Sequence, residues 1–173
     1  ELADLHPQSA RSSRALALLN HVNEGLTKFN PDFTVAPGLA ERWTVSDDGK
    51  TYTFTLRPGV KWHDGQDLSA DDISFTFNLA MADDSRAAAK GMLATNVESV
   101  EAQGSEVVIT LKQAYSPLLS VLAGQVGILP KHVLESDPYL ASFTASPIGT
   151  GPYKVTSRDI STLTIETNPD YWG

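Results

Sequence analysis

The sequence contains no cysteine among its 173 residues. Catalysis by a thiolate, zinc sites built on cysteine and structural disulfides are therefore excluded. The absence does not identify a cellular compartment, because a chain without cysteine suits an oxidising and a reducing environment equally.

Clustered positive charge and long apolar runs are also missing. The formal net charge is −8, with 13 basic against 21 acidic residues, and no window holds four consecutive basic residues. Nucleic acid is excluded as a partner, since binding phosphates requires clustered lysine and arginine. No apolar run is long enough to span a bilayer. The apolar content of 41% still indicates a globular chain with one good core.

The usual motifs of hydrolases and metal sites are absent. The sequence has no HExxH, no G-x-S-x-G and no two histidines at the spacing of metal ligands. Three acidic pairs, at residues 47–48, 71–72 and 83–84, are the only basis for a hydrolase hypothesis, and they lie where turns and helix ends favour aspartate. We expect no enzymatic activity, no metal site and no cofactor.

The densest pattern of local structure lies between residues 39 and 79. Tyr52, Phe54 and Leu56 alternate with threonines, and this period of two predicts a half-buried strand. Ser69 is the predicted cap of a helix that runs to about Ala82. Asp72 stands at the third helical position, which makes a weak capping box because Glu or Gln is usual there.

The patterns in the rest of the chain predict short helices and hairpins. We predict a helix from about Arg14 to Gly25 capped by Ser12 or Ser13, a loop over residues 35–38, a hairpin over residues 97–111, short helices after Ser116 and Leu129, and a final hairpin over residues 153–167. Hairpins outnumber strand–helix–strand units, so the expected fold class is α+β with a small mixed, mainly antiparallel sheet and packed helices.

The glycine-rich stretch Gly149–Pro152 has two open interpretations. It lacks the spacing of a phosphate-binding loop. Its two glycines indicate either a tight turn between strands or a loop that lies beside a ligand cleft.

One combination of motifs resembles the family 5 extracytoplasmic solute-binding proteins, the peptide and nickel receptors of ABC importers. The matching segments, given in chain order, are Leu5-His6-Pro7, Asn23-Glu24-Gly25-Leu26, Leu39-Ala40-Glu41 with Trp43, Asp48-Gly49, Tyr52-Thr53-Phe54, Gly59-Val60-Lys61-Trp62, Asp64-Gly65, Ser69-Ala70-Asp71-Asp72, Leu129-Pro130-Lys131-His132, Pro147–Tyr153, and Asn168 with Tyr171-Trp172. His6 departs from the family pattern, where aspartate is usual. The resemblance covers essentially the whole chain.

The resemblance implies that the chain is part of lobe one of a two-lobed periplasmic binding protein. Residues 1–173 would form a partial N-terminal lobe, with flanks over about 1–35 and 149–173 directed toward the main sheet and a smaller subdomain over about 36–148. The second lobe would be absent. Because the chain begins with Glu1, we expect it to have been processed or trimmed, and we expect self-association through uncovered strand edges.

The implied function is solute capture for an ABC importer. The ligand would be a peptide or a similar small solute, the partner an ABC permease in the membrane, and the location periplasmic or extracellular with a membrane anchor. The alternative is a sensory or interaction module of a regulator. The expected ligand-binding residues are Arg11, Ser12 and Ser13 at the cleft and Gly149, Thr150 and Gly151 near the lobe junction. The loop near residues 89–91 is a further candidate.

Overall fold

The structure, a computed structural model, describes residues 5–159 and 162–173. Residues 1–4 of the predicted first flank therefore lie outside the described residues. The helices are α1 Ser13–Val22, α2 Ala70–Met81, α3 Lys90–Asn96, α4 Leu118–Gln125, α5 Lys131–Leu134 and α6 Ala141–Ala145. The strands are β1 Thr27–Phe29, β2 Val35–Pro37, β3 Ala40–Val45, β4 Thr51–Leu56, β5 Val97–Gln103, β6 Glu106–Leu111, β7 Tyr153–Arg158 and β8 Leu163–Thr167.

A four-stranded antiparallel sheet with the order β3-β4-β6-β5 carries the main core. Its central strand β4 is the one predicted from alternation, and Tyr52, Phe54 and Leu56 are buried while the threonines between them are partly exposed. Phe54 lies opposite Val107 of β6, and both are fully buried. Helix α2 packs on this face of the sheet through Ile73 and Phe77. The α+β fold class with antiparallel pairing is confirmed.

Two short hairpins form separate two-stranded sheets. Strands β1 and β2 pair with each other, and β7 pairs with β8 in the second hairpin. No described helix is both long and apolar enough to cross a membrane.

Two predictions of local structure were wrong, and one strand was missed. Residues 35–37 form a strand and not a loop, because they pair with β1. The six-residue strand β3 was not predicted, although it pairs along β4. Helix α1 ends at Val22 and not at Gly25. Gly25 instead permits close packing, since a Cβ there would lie 2.5 Å from the carbonyl oxygen of Leu122.

The predicted cap of α2 is confirmed and does more than cap that helix. The buried Asp72 carboxylate accepts hydrogen bonds from the Ser69 N–H and hydroxyl, each at 2.9 Å. It also accepts the Lys131 N–H at 2.8 Å, where α5 begins. One carboxylate therefore joins the starts of two helices that lie far apart in the sequence.

We expect Asp72→Ala to lower the free energy of unfolding by about 2 kcal/mol, because three donors lose their acceptor. Urea unfolding followed by circular dichroism measures the change. Asp71→Ala is the matched control, since Asp71 is its neighbour in the first turn and its side chain is 67% exposed. Equal losses in the two variants would contradict the assignment.

Candidate ligand-binding cleft

A cavity lies where helices α1 and α4 end. It has a volume of about 210 Å³ and is lined by Pro7, Gln8, Ala10, Arg11, Leu16, Leu19, Asn20, Asn23, Glu24, Gly25, Ala88 and residues 122–127. An adjoining hollow of about 370 Å³ continues it past Lys28, Phe29 and Tyr171. Because the two share the wall formed by Asn20 and residues 23–25, they make one groove, which we call the cleft.

The end of α1 shapes the wall of the cleft. Ser12 begins the helix by accepting the Ala15 N–H at 3.1 Å, as predicted for one of the two serines. Asn23 closes the helix with extended backbone, and its N–H donates to the Leu19 carbonyl at 2.7 Å. The chain then turns into Glu24 and Gly25, which line both halves of the cleft.

The Glu24 carboxylate joins three distant parts of the chain. It accepts hydrogen bonds from the Thr150 hydroxyl at 2.9 Å, the Trp172 indole N–H at 2.9 Å and the Tyr171 hydroxyl at 3.0 Å. Burial raises the pKa of Glu24, although the three donors act in the opposite direction. Burial, with the nearby Glu24 charge, also raises the pKa of Tyr171 to about 12.

In addition to its bond to Glu24, Trp172 has two cationic side chains over the face of its ring. The Arg57 guanidinium lies 4.2 Å from the ring centroid, and the Lys28 ammonium lies 5.7 Å from it. These cation–π contacts, together with the bond to Glu24, fix the indole against the back of the cleft wall.

Gly149 and Gly151 lie directly behind α1. A Cβ on Gly149 would overlap the Val22 carbonyl oxygen, and one on Gly151 would lie 2.5 Å from that of His21. The Gly151 N–H donates to the Val22 carbonyl at 2.9 Å. The glycines therefore serve close backbone packing, and Thr150 between them reaches Glu24.

His63 holds the same loop from the other side. The Gly149 N–H donates to Nδ1 at 3.0 Å, and Nε2 lies 3.0 Å from the Gly151 carbonyl oxygen. Both bonds form only when the ring is neutral and carries its proton on Nε2. Burial lowers the pKa of His63, and the nearby Lys154 lowers it further.

The six predicted site residues lie in different positions relative to the cleft. Arg11 lines the cavity, and its guanidinium donates to the carbonyl oxygens of Ser9 at 2.8 Å and Arg86 at 2.7 Å. Ser12 and Ser13 belong to the start of α1 and do not line the cleft, whereas Gly149–Gly151 lie behind its wall. A direct contact of these residues with ligand stays a prediction.

The cleft also contains residues that the sequence prediction missed. Gln8, Asn20 and the end of α4 line the cavity without any motif that marks them. The loop after α2 contributes Ala88, next to the predicted residues 89–91. Among the described residues, no group of three or more histidine, aspartate or glutamate side chains is placed to hold a metal ion.

The chain matches the profile of a known family. The profile described as "Bacterial extracellular solute-binding proteins, family 5 Middle" covers residues 34–173. The chain belongs to this family. The resemblance seen in the sequence motifs is thereby confirmed.

Individual relatives agree with the family. The chain is 37% identical over 154 residues to "Protein XP55" of Streptomyces lividans and 29% identical over 172 residues to the dipeptide-binding protein DppE of Bacillus subtilis. The solved structure of NikZ from Campylobacter jejuni in complex with Ni(L-His) covers 99% of the chain with a TM-score of 0.89 and 33% identity. The oligopeptide-binding protein AppA of Bacillus subtilis, solved with a nonapeptide, covers 96% with a TM-score of 0.88 and 29% identity.

The chain spans about a third of the length of these proteins. It covers 28% of Protein XP55, 32% of DppE and 34% of the NikZ chain. Its fold is therefore that of a part of the two-lobed binding proteins.

We expect Glu24→Gln to lower the pKa of Tyr171 from about 12 toward the ordinary value of 10.0, because the variant removes the carboxylate charge while the ring stays buried. A ¹³Cζ NMR titration of the tyrosines measures it. Glu98→Gln, a change at an exposed position, should leave the Tyr171 titration unchanged. An unaltered Tyr171 pKa in Glu24→Gln would show that the two side chains are not coupled.

His63 should make the stability of the fold depend on pH. Its pKa is lower in the folded chain than the ordinary 6.5, so its contribution is complete above pH 6.5 and is lost as the pH falls through the folded-state pKa. Urea unfolding at a series of pH values should show a smaller acid loss in His63→Gln than in the unchanged chain. His21→Gln, at an exposed histidine, should follow the unchanged chain, and parallel curves for all three would contradict the assignment.

Proposed function

We propose that the chain captures solute for an ABC importer and that the cleft forms one wall of the binding site. The observation that supports this most directly is the open cleft at the ends of α1 and α4 in a chain of the solute-binding family. Concave sites of a few hundred Å³ with a few directed polar groups are typical of small-molecule binding.

The domain arrangement is part of the same proposal. The chain would be a partial N-terminal lobe, in which residues 36–148 build a smaller subdomain around the four-stranded sheet. The flanks 1–35 and 149–173 meet at Glu24, since Thr150, Tyr171 and Trp172 all donate to it. This meeting point supports treating the two flanks as one unit, and an opposing lobe would cover the open side of the cleft.

The ligands of the relatives support a proposal for the solute class. Their names and complexes include a dipeptide, glutathione, a nonapeptide and a nickel complex of histidine. We infer a peptide or a small amino-acid-like solute for this chain. The permease partner and the periplasmic or membrane-anchored extracellular location belong to the same proposal. The alternative of a regulator's sensory module has no observation in this structure that favours it.

We expect a small peptide to bind the 173-residue chain only weakly, with Kd on the order of 1 mM or above, because one wall leaves the ligand largely solvated. Saturation-transfer NMR with trialanine as the probe should detect contact with the cleft. Ala88→Trp should abolish the signal, since this exposed residue lines the cavity and its enlargement fills the space.

The control is Ala114→Trp, an exposed position outside the cavity lining. It should bind trialanine as the unchanged chain does. Equal loss in both variants, or tight binding unaffected by Ala88→Trp, would place the peptide elsewhere and contradict the proposal.

A further inference from the structure

The two bonds of the His63 ring respond differently to a proton. The Gly149 N–H donates to Nδ1 at 3.0 Å, and because a backbone N–H only donates, Nδ1 has to be an unprotonated acceptor. Nε2 lies 3.0 Å from the Gly151 carbonyl oxygen and donates to it. An imidazolium carries a proton on both nitrogens, so it still donates from Nε2 but no longer accepts at Nδ1. Protonation therefore breaks the bond to the Gly149 N–H and no other bond of the ring.

The rest of the glycine loop is held by groups that do not titrate. The Gly151 N–H donates to the Val22 carbonyl at 2.9 Å, and the Gly151 carbonyl oxygen also accepts the Asn168 side-chain amide at 3.3 Å. The backbone N–H of His63 donates to the Gly149 carbonyl oxygen at 2.9 Å. Acid consequently acts on the loop at one point, the peptide group whose N–H belongs to Gly149.

Charged groups face His63 from its own turn and from β7. Burial lowers its pKa below the ordinary 6.5, Lys154 of β7 lowers it further, and the neighbouring Asp64 raises it. The Asp64 carboxylate also lies 2.8 Å from Nε2 of His132 in α5. Glu24, on the far side of the loop, bonds to Thr150. The His63 ring is therefore neutral at about pH 7 and gains its proton in acidic solution.

Gly149 is in direct contact with the wall of the cleft. A Cβ on Gly149 would overlap the Val22 carbonyl oxygen and would lie 3.1 Å from Nδ2 of Asn23. Asn23 lines both halves of the cleft, is 8% exposed, and makes no hydrogen bond through either atom of its amide. Because packing alone holds this amide, its position depends on the backbone of Gly149 behind it.

We propose that His63 is a pH-sensitive switch for the wall of the cleft. The neutral ring holds the peptide group of Gly149 against the end of α1. The protonated ring releases that peptide group, and Asn23 then loses its fixed position while the rest of the fold stays in place. The inference goes beyond the proposed function, since it concerns the wall itself and needs no bound solute.

Amide hydrogen exchange in the ¹⁵N-labelled 173-residue chain tests the switch. The protection factor of the Gly149 N–H, which corrects for the pH dependence of intrinsic exchange, should fall about tenfold as the His63 ring titrates. The protection factor of the Gly151 N–H should stay unchanged, and the side-chain amide signal of Asn23 should shift with the midpoint of the Gly149 change. Constant protection at Gly149, an equal fall at Gly151, or an Asn23 signal that does not follow would overturn the proposal.

Charge changes beside His63 give a second test that keeps the ring in place. Lys154→Gln removes a positive charge that opposes protonation, so the Gly149 N–H should be released at a higher pH than in the unchanged chain. Asp64→Asn removes a negative charge that favours protonation, and its midpoint should lie at a lower pH. Midpoints that do not move, or that move in the opposite directions, would contradict the assignment.

Removing the titrating ring gives the third comparison. In His63→Gln the protection of the Gly149 N–H should not change over the same pH range, because glutamine has no group that titrates there. His21→Gln is the control, since His21 is exposed and its Nδ1 bonds to the Ala17 carbonyl within α1. It should retain the change at Gly149. A change that persists in His63→Gln would overturn the proposal, and the two charge variants decide the matter if His63→Gln does not fold.

Discussion

The arrangement of the cleft depends on one buried carboxylate. Glu24 lies between the end of α1 and strand β1, and its three donors come from residues more than a hundred positions away in the chain. A carboxylate removed from water is costly unless donors replace the lost hydration, and the raised pKa of Glu24 shows that the cost is only partly offset. The fold tolerates this group because it fixes the helix end, the glycine loop and the terminal aromatic pair in one geometry.

The glycine loop is fixed from two further directions. Val22 accepts the Gly151 N–H on the α1 side, and His63 bonds to both glycines on the other. With no space for a Cβ at Gly149, the loop has little freedom to move toward the helix. The position of the cleft wall is therefore determined from behind, by residues that do not line the cleft themselves. This explains how Gly149–Gly151 can be prominent in the sequence and still lie outside the cavity.

Sequence reasoning succeeded where structure is set by local patterns. The alternation around Phe54 and the cap at Ser69 act over a few residues, and both have the predicted conformation. It failed for β2 and β3, whose strand character depends on pairing with a partner strand and not on their own composition. The interpretation of Gly25 was wrong for a related reason, since its packing against Leu122 is invisible in the local sequence.

The candidate site was predictable only in part. Arg11 lines the cavity, but its bonds to the carbonyl oxygens of Ser9 and Arg86 involve a loop from another part of the chain, and its contact with a ligand stays a prediction. The sequence around Glu24 contains no pattern that predicts its hydrogen bonds to Thr150, Tyr171 and Trp172.

The rigid wall and the open side of the cleft contribute differently to the binding of a ligand. The loop behind the cleft wall is fixed by its bonds to Glu24 and His63, so the wall is already oriented before a ligand arrives and loses little entropy on binding. An open groove nevertheless leaves most of a ligand in water, where hydrogen bonds and charges contribute little net free energy. We therefore infer that the fixed wall can position a ligand, whereas tight binding requires a second surface that covers the cleft and excludes water.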